Sequence, residues 1–149
     1  MRRRQGFSII ELLVTMTVIG LLTQIAVPRY SDMKRRATAA SILGDVHAIR
    51  IAAFTHYTEA GSFPPASPAG QAPAQLVQYL PSGFTFTRAD YSYTWHSWPM
   101  TVGGRTETLV GVTVTVSDPR LATQLVRSAG AGFIPIVTAT SVTFLVSTS

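Results

Sequence analysis

The chain has 149 residues, room for one domain of ordinary size but not for two domains and a membrane anchor. Apolar residues make up 46% and charged residues only 13%, about half the ~25% usual in soluble proteins, so a segment that leaves water is implied. The absence of cysteine excludes a disulfide framework and any thiolate metal site, while the net charge of +5, from 12 Lys+Arg against 7 Asp+Glu, is concentrated in part at Arg2, Arg3 and Arg4 and is not a nucleic-acid footprint.

After Met1-Arg-Arg-Arg-Gln-Gly6 comes an apolar run from Phe7 to Val27 whose sole charge is Glu11. As a helix this run spans about 31 Å, close to the ~30 Å hydrocarbon core of a bilayer. Basic flanks stay cytoplasmic, so the arginines place the N-terminus inside and the rest of the chain across the membrane. Three readings fit such a segment. An ordinary secretory signal would end at Ala26, but Gln24 stands where a small residue is wanted, and the run is long for the purpose. A plain signal anchor would hold an outer domain to the membrane. The third reading is a processed filament precursor.

The residues Gly6-Phe7-Ser8-Ile9-Ile10-Glu11-Leu12-Leu13 resemble the processing motif of type IV prepilins and type II secretion pseudopilins. The resemblance is strong over about residues 1–30, continues only as a pattern up to about residue 65, and does not extend to the remainder. It implies a leader of residues 1–6, cleavage after Gly6 by a dedicated peptidase, and N-methylation of the new first residue, Phe7. Without the leader the balance is nine basic against seven acidic residues. The resemblance also places Gly20 and Pro28 where family members carry residues that soften the helix. Proline removes a backbone bond and clashes with the preceding turn, so a kink is expected at Pro28, with helical patterning resuming after it.

Glu11 has a physical logic of its own. A carboxylate in an apolar helix costs about 2.5–3.5 kcal/mol or more at the bilayer centre, and less near the cytoplasmic end. Once the helix leaves lipid and packs among others, that charge needs a partner. The amino group freed at Phe7 of a neighbouring subunit is one, and the pairing would set the axial register of a helical stack.

Residues 29–36 are polar and basic, placed at the outer interface, where Lys34-Arg35-Arg36 meets lipid phosphates or merely water. Ala39, Ile42, Val46, Ile49, Ala53 and Tyr57 then recur at spacings of three and four, one stripe of a helix, with Asp45, Arg50 and Glu59 assigned to the opposite face. The helix therefore runs from about Phe7 to Glu59, with Gly61 as its C-cap and Pro64-Pro65 forbidding continuation. A loop rich in Ala, Gly, Ser and Pro covers residues 60–75, and a short helix is expected around Ala74–Leu80.

The remainder reads as strands. Tyr91, Tyr93, Trp95 and Ser97 alternate with Ser92, Thr94, His96 and Trp98; the aromatic set is assigned to the core, with Trp98 the exception by phase. Gly103-Gly104 marks a turn, and Thr108–Val116 is a β-branched strand. Asp118 and Pro119 open a short helix that buries Leu121, Leu125 and Val126 and ends near Gly130. Phe133–Thr138 and Ser141–Val146 complete the strands.

The expected fold is α+β and type IV pilin-like: a long kinked N-terminal helix, its first half transmembrane, packed against a small antiparallel sheet. Its parts are the leader (1–6), the transmembrane and filament-core helix (7–28), the amphipathic continuation (29–59) and a globular head (60–149). No catalytic or metal constellation is present: His47, His56 and His96 form no His-x-x-x-His pair, and the acids of the head do not cluster. No cofactor is expected. A competence-type DNA-uptake filament is a further alternative, but its sole hint is Arg88, Arg105, Arg120 and Arg127, and four arginines without a stripe are weak evidence for a nucleic-acid partner. The resemblance implies a structural subunit of a pilus-like or pseudopilus filament in the bacterial inner membrane, its head periplasmic, or extracellular after assembly. It implies as partners the prepilin peptidase, an assembly platform and copies of itself or related pilins. A signal-anchored periplasmic binding domain with no filament role is the alternative from another class. The lack of cysteine departs from members that pin the last strand with a C-terminal disulfide.

Overall fold

The computed structural model describes residues 7–130 and 135–147. The chain divides into two compact units, one ending at Arg36 and the other beginning at Ala37. One helix, α1 (Ile9–Ala60), contributes to both and continues through Pro28.

In the first unit, every described residue from Phe7 to Tyr30 is exposed. This part of α1 is long and apolar enough to cross a membrane, and none of its apolar stretch is buried within the chain. A soluble domain would bury such a stretch, so its exposure calls for lipid or other helices as solvent.

The second unit joins the remainder of α1 to a four-stranded antiparallel sheet. The strands are β1 (Tyr91–Val102), β2 (Arg105–Val116), β3 (Pro135–Val137) and β4 (Ser141–Ser147), in the order β1-β2-β4-β3. A second helix, α2 (Pro119–Ser128), follows β2 and packs against β2, β3 and β4. Ala39, Ile42, Val46, Ile49, Ala52 and Ala53 of α1 share one core with Tyr93, Trp95, Val110, Val112, Val114, Val142 and Phe144. The stripe read from the sequence is therefore the buried face, with Ala52 added. Tyr57, at its end, is partly exposed and stacks on Phe63 at 4.6 Å between ring centroids.

Asp45 is not on the outer face. Its carboxylate is 20% exposed and accepts a 2.7 Å hydrogen bond from the Tyr93 hydroxyl, with the Arg88 guanidinium 3.7 Å away. It stands one residue before Val46 and three after Ile42, at the border of the buried stripe, where a long aromatic side chain from the sheet reaches it. Burial, and then the bond to Asp45, push the Tyr93 phenol far above its usual range, so it remains a donor. Removing that donor leaves a half-buried carboxylate with one distant cation. Tyr93→Phe is expected to destabilise the chain by about 1–3 kcal/mol, measured by denaturant unfolding. The other two acids and bases assigned to the outer face are also engaged: Glu59 accepts from the Tyr79 hydroxyl, and Arg50 lies 5.7 Å from the Phe54 ring centroid.

The helix ends as expected. Gly61 has φ +69° and its N–H donates to the Tyr57 carbonyl at 2.9 Å. Instead of a helix over Ala74–Leu80 there is a single 3-10 turn, Val77–Tyr79, too short to bury a face of its own. The strands of the first hairpin exceed their expected lengths, since β1 runs through Pro99 to Val102 and β2 begins at Arg105. Pro99 is tolerated because of its phase. The Tyr93 N–H donates to Phe86 and the Tyr93 and Trp95 carbonyls accept from Gly70 and Ser67, so odd-numbered residues of β1 turn their backbone away from β2. A proline at 99 therefore removes no bond of the β1–β2 ladder. Gly103 and Gly104, at φ +59° and +79°, form the two-residue turn that a tight hairpin requires.

Tyr93 and Trp95 are fully buried while Trp98 is 37% exposed, as the alternation implies. On the outer face Trp98 stacks on His96 with centroids 5.0 Å apart, and Gly111 of β2 leaves space beside its ring. Asp118 caps α2, accepting from the Arg120 N–H at 2.9 Å, and Pro119 is in the first turn. Ala122 is buried with Leu121 and Leu125, whereas Val126 is only partly so. The expected strand start at Phe133 lies outside the described residues; the pairing with β4 begins at Pro135.

Candidate functional site

The candidate residues gather at the start and along the exposed apolar part of α1. Gly6 lies outside the described residues. Phe7 precedes the helix and is 74% exposed. The Ser8 carbonyl accepts from the N–H groups of both Glu11 and Leu12 at 3.1 Å, which closes the first turn. Glu11 is the acidic residue of that turn. A carboxylate is favoured at a helix N-terminus, where unpaired N–H groups leave a partial positive charge. Among the described residues Glu11 makes no ion pair.

The threonine hydroxyls of the apolar stretch are satisfied within it, a feature the sequence reading did not single out. The hydroxyls of Thr15, Thr17 and Thr23 donate to the carbonyls of Leu12, Leu13 and Ile19, each at 2.8 Å. Threonine spaced along an apolar helix is the available signal, because back-bonding to the preceding turn makes the hydroxyl compatible with lipid. Glu11 has no such internal solution. The charge is thereby set apart from the bonded threonine hydroxyls around it.

Gly20 and Pro28 are both inside α1. A Cβ added at Gly20 would meet nothing within 4 Å, so nothing within the chain demands glycine there. Pro28 lacks the N–H that would bond the Gln24 carbonyl, leaving one backbone bond missing at the end of the apolar stretch. The structure brings Phe7 and Glu11 into one region and leaves Gly20 and Pro28 farther along the same helix.

In the second unit, the recess beside Tyr57 and Phe63 is about 400 Å³ and is lined by no histidine or lysine. Among the described residues no group of three His, Asp or Glu side chains is placed to hold a metal ion. Burial lowers the pKa of His96, which stacks on Trp98.

Residues 1–23 match the family described as the prokaryotic N-terminal methylation motif. The chain is 32% identical over 113 residues to the type IV narrow pilus major component of Thermus thermophilus, covering 72% of this chain and 95% of that protein. It is 30% identical over 69 residues to the type IV major pilin protein of Neisseria gonorrhoeae, covering 46% and 32% of the two chains. A fimbrial protein of Pseudomonas aeruginosa is 36% identical over 53 residues, 36% of this chain, and the match spans about a third (34%) of that relative's length. No solved structure matches the chain. The methylation motif at its N-terminus, the exposed apolar helix leading to a small antiparallel sheet, and a similarity extending over nearly all of the Thermus pilin together place this chain in the type IV pilin family.

Proposed function

We propose that this chain is a non-enzymatic pilus subunit, inserted in the inner membrane by residues 7–28 and then packed by the same segment into the core of a filament. The observation that carries the reading is Glu11, the only charge in the exposed apolar stretch from Phe7 to Val27, one turn beyond the residue that cleavage would make the N-terminus. In this reading the prepilin peptidase cuts after Gly6 and methylates Phe7. The new amine then pairs with Glu11 of an adjacent subunit. An assembly platform moves the helix from lipid into the filament, and its energy comes from elsewhere. The head faces the periplasm and then the exterior. The softer stretch from Gly20 to Pro28, with one backbone bond missing, lets the helix adjust as it packs. What supports a pilus over a secretion pseudopilus is that the relatives described above are named as pilins or fimbrial proteins.

N-terminal mass analysis of protein recovered from membranes of a host with its own prepilin peptidase tests the reading. The expected mature chain begins with methylated Phe7, and Gly6→Val is expected to leave the precursor uncut. A wild-type chain still beginning at Met1 would reduce the protein to a plain anchor. One beginning near Val27 would make residues 1–26 an ordinary secretory signal.

A further inference from the structure

The basic residues beyond the apolar stretch are arranged as a collar, and the arrangement selects a partner. Arg29, Lys34 and Arg36 are exposed on α1 and make no ion pair among the described residues, while Arg35 is held by Asp32 three residues earlier. At about 100° per residue, Arg29 and Arg36 fall within about 20° of each other, Lys34 lies about 140° from Arg29, and Arg35 about 120° on the other side. The four cations therefore reach three sides of one helix. Along the axis they occupy about 10 Å, comparable with a headgroup layer of roughly 5–8 Å outside the hydrocarbon. Tyr30, 71% exposed, sits in the same band, where an amphipathic ring favours a membrane interface.

A folded partner docks on one face and would leave cations on the other sides unmatched. Copies of the same helix at the same height would set like charges against each other. Surroundings that are negative on every side match a collar. We propose that Arg29, Lys34 and Arg36, with Arg35 beside them, bind the phosphates of anionic phospholipids around the helix, at the end of the span opposite Glu11. This rests on the reading that residues 7–28 cross a membrane. It adds that the subunit carries a shell of anionic lipid that must be shed or rearranged before close packing.

The test reconstitutes the full chain in phosphatidylcholine vesicles containing spin-labelled phosphatidylglycerol or spin-labelled phosphatidylcholine. The immobilised fraction of each label reports which lipid the protein holds. Wild type is expected to prefer the anionic label by about threefold or more, with the preference weakening at high salt as charges are screened. R29Q/K34Q/R36Q is expected to cut the excess over one by about half or more, the remainder belonging to Arg2, Arg3 and Arg4 before the span. R88Q/R120Q/R127Q, with the same loss of charge in the head, is expected to leave it unchanged. An unchanged preference in the collar variant would overturn the proposal while the membrane reading stands. Displacement of the preference by millimolar inorganic phosphate would overturn the assignment to lipid. Release of the wild-type chain from vesicles by alkaline carbonate would overturn the membrane reading itself, and the collar with it.

Discussion

Glu11→Ala is expected to leave the protein in the membrane and to reduce sheared filaments by at least about a hundredfold. The two effects have opposite signs because the carboxylate acts differently in the two environments. In the free subunit it is a charge at the edge of an apolar helix, and its removal lowers the cost of insertion. In a packed bundle the cleaved Phe7 amine of a neighbour would lose its counter-charge. Breaking a buried pair by deleting one partner costs about 3–5 kcal/mol, and each ~1.4 kcal/mol is tenfold in an equilibrium constant. One such loss at every subunit contact removes assembly. The helix itself should persist, since Glu11 contributes only one acid to its first turn and the threonine hydroxyls remain bonded to its backbone. Immunoblots of the sheared and membrane fractions measure both quantities. Filament yield equal to wild type would eliminate the pairing between Phe7 and Glu11.

Trp95→Ala is expected to unfold the head at temperatures where the wild type is intact. Trp95 is fully buried between sheet and helix, and its indole N–H donates to the Pro64 carbonyl at 3.0 Å. Truncating a buried Trp costs about 3–5 kcal/mol, and the carbonyl left without its donor adds on the order of 1 kcal/mol. A total stability of about 5–15 kcal/mol leaves little margin for such a loss. The midpoint should fall by roughly 15 °C or more in thermal unfolding of the full chain in detergent. Trp95→Phe restores most of the apolar contact but not the bond, and should lie between. Trp98→Ala offers the contrast within one strand: its ring is 37% exposed and rests on His96, so its loss should cost about 1 kcal/mol. Similar midpoints for Trp95→Ala and Trp98→Ala would contradict the assignment of Trp95 to the core.

The apolar stretch of α1, the stripe from Ala39 to Ala53, the Gly61 and Asp118 caps and the Gly103-Gly104 turn were all legible in the sequence. Each follows from interactions within a few residues, or from the periodic exposure of one segment to one solvent. The isolated charge at Glu11 was legible for the same reason, since its surroundings are its own helix. Asp45 was not legible. A helical wheel places it at the border of the apolar stripe, and its partner Tyr93 is 48 residues away on another element. The run of β1 through Pro99 was not legible either, since only the bonds of Tyr93 and Trp95 show which edge of β1 is free of β2.

The sequence by itself determined which segment is long and apolar enough to leave water, where the long helix stops and α2 starts, and which face of the amphipathic half is buried. Those properties are written in local composition and period. Only the tertiary structure decided the order β1-β2-β4-β3, the inward turn of Asp45 and the seat of Trp95 against Pro64. Each depends on bringing distant residues within hydrogen-bond reach, and no local pattern records a distance across the fold.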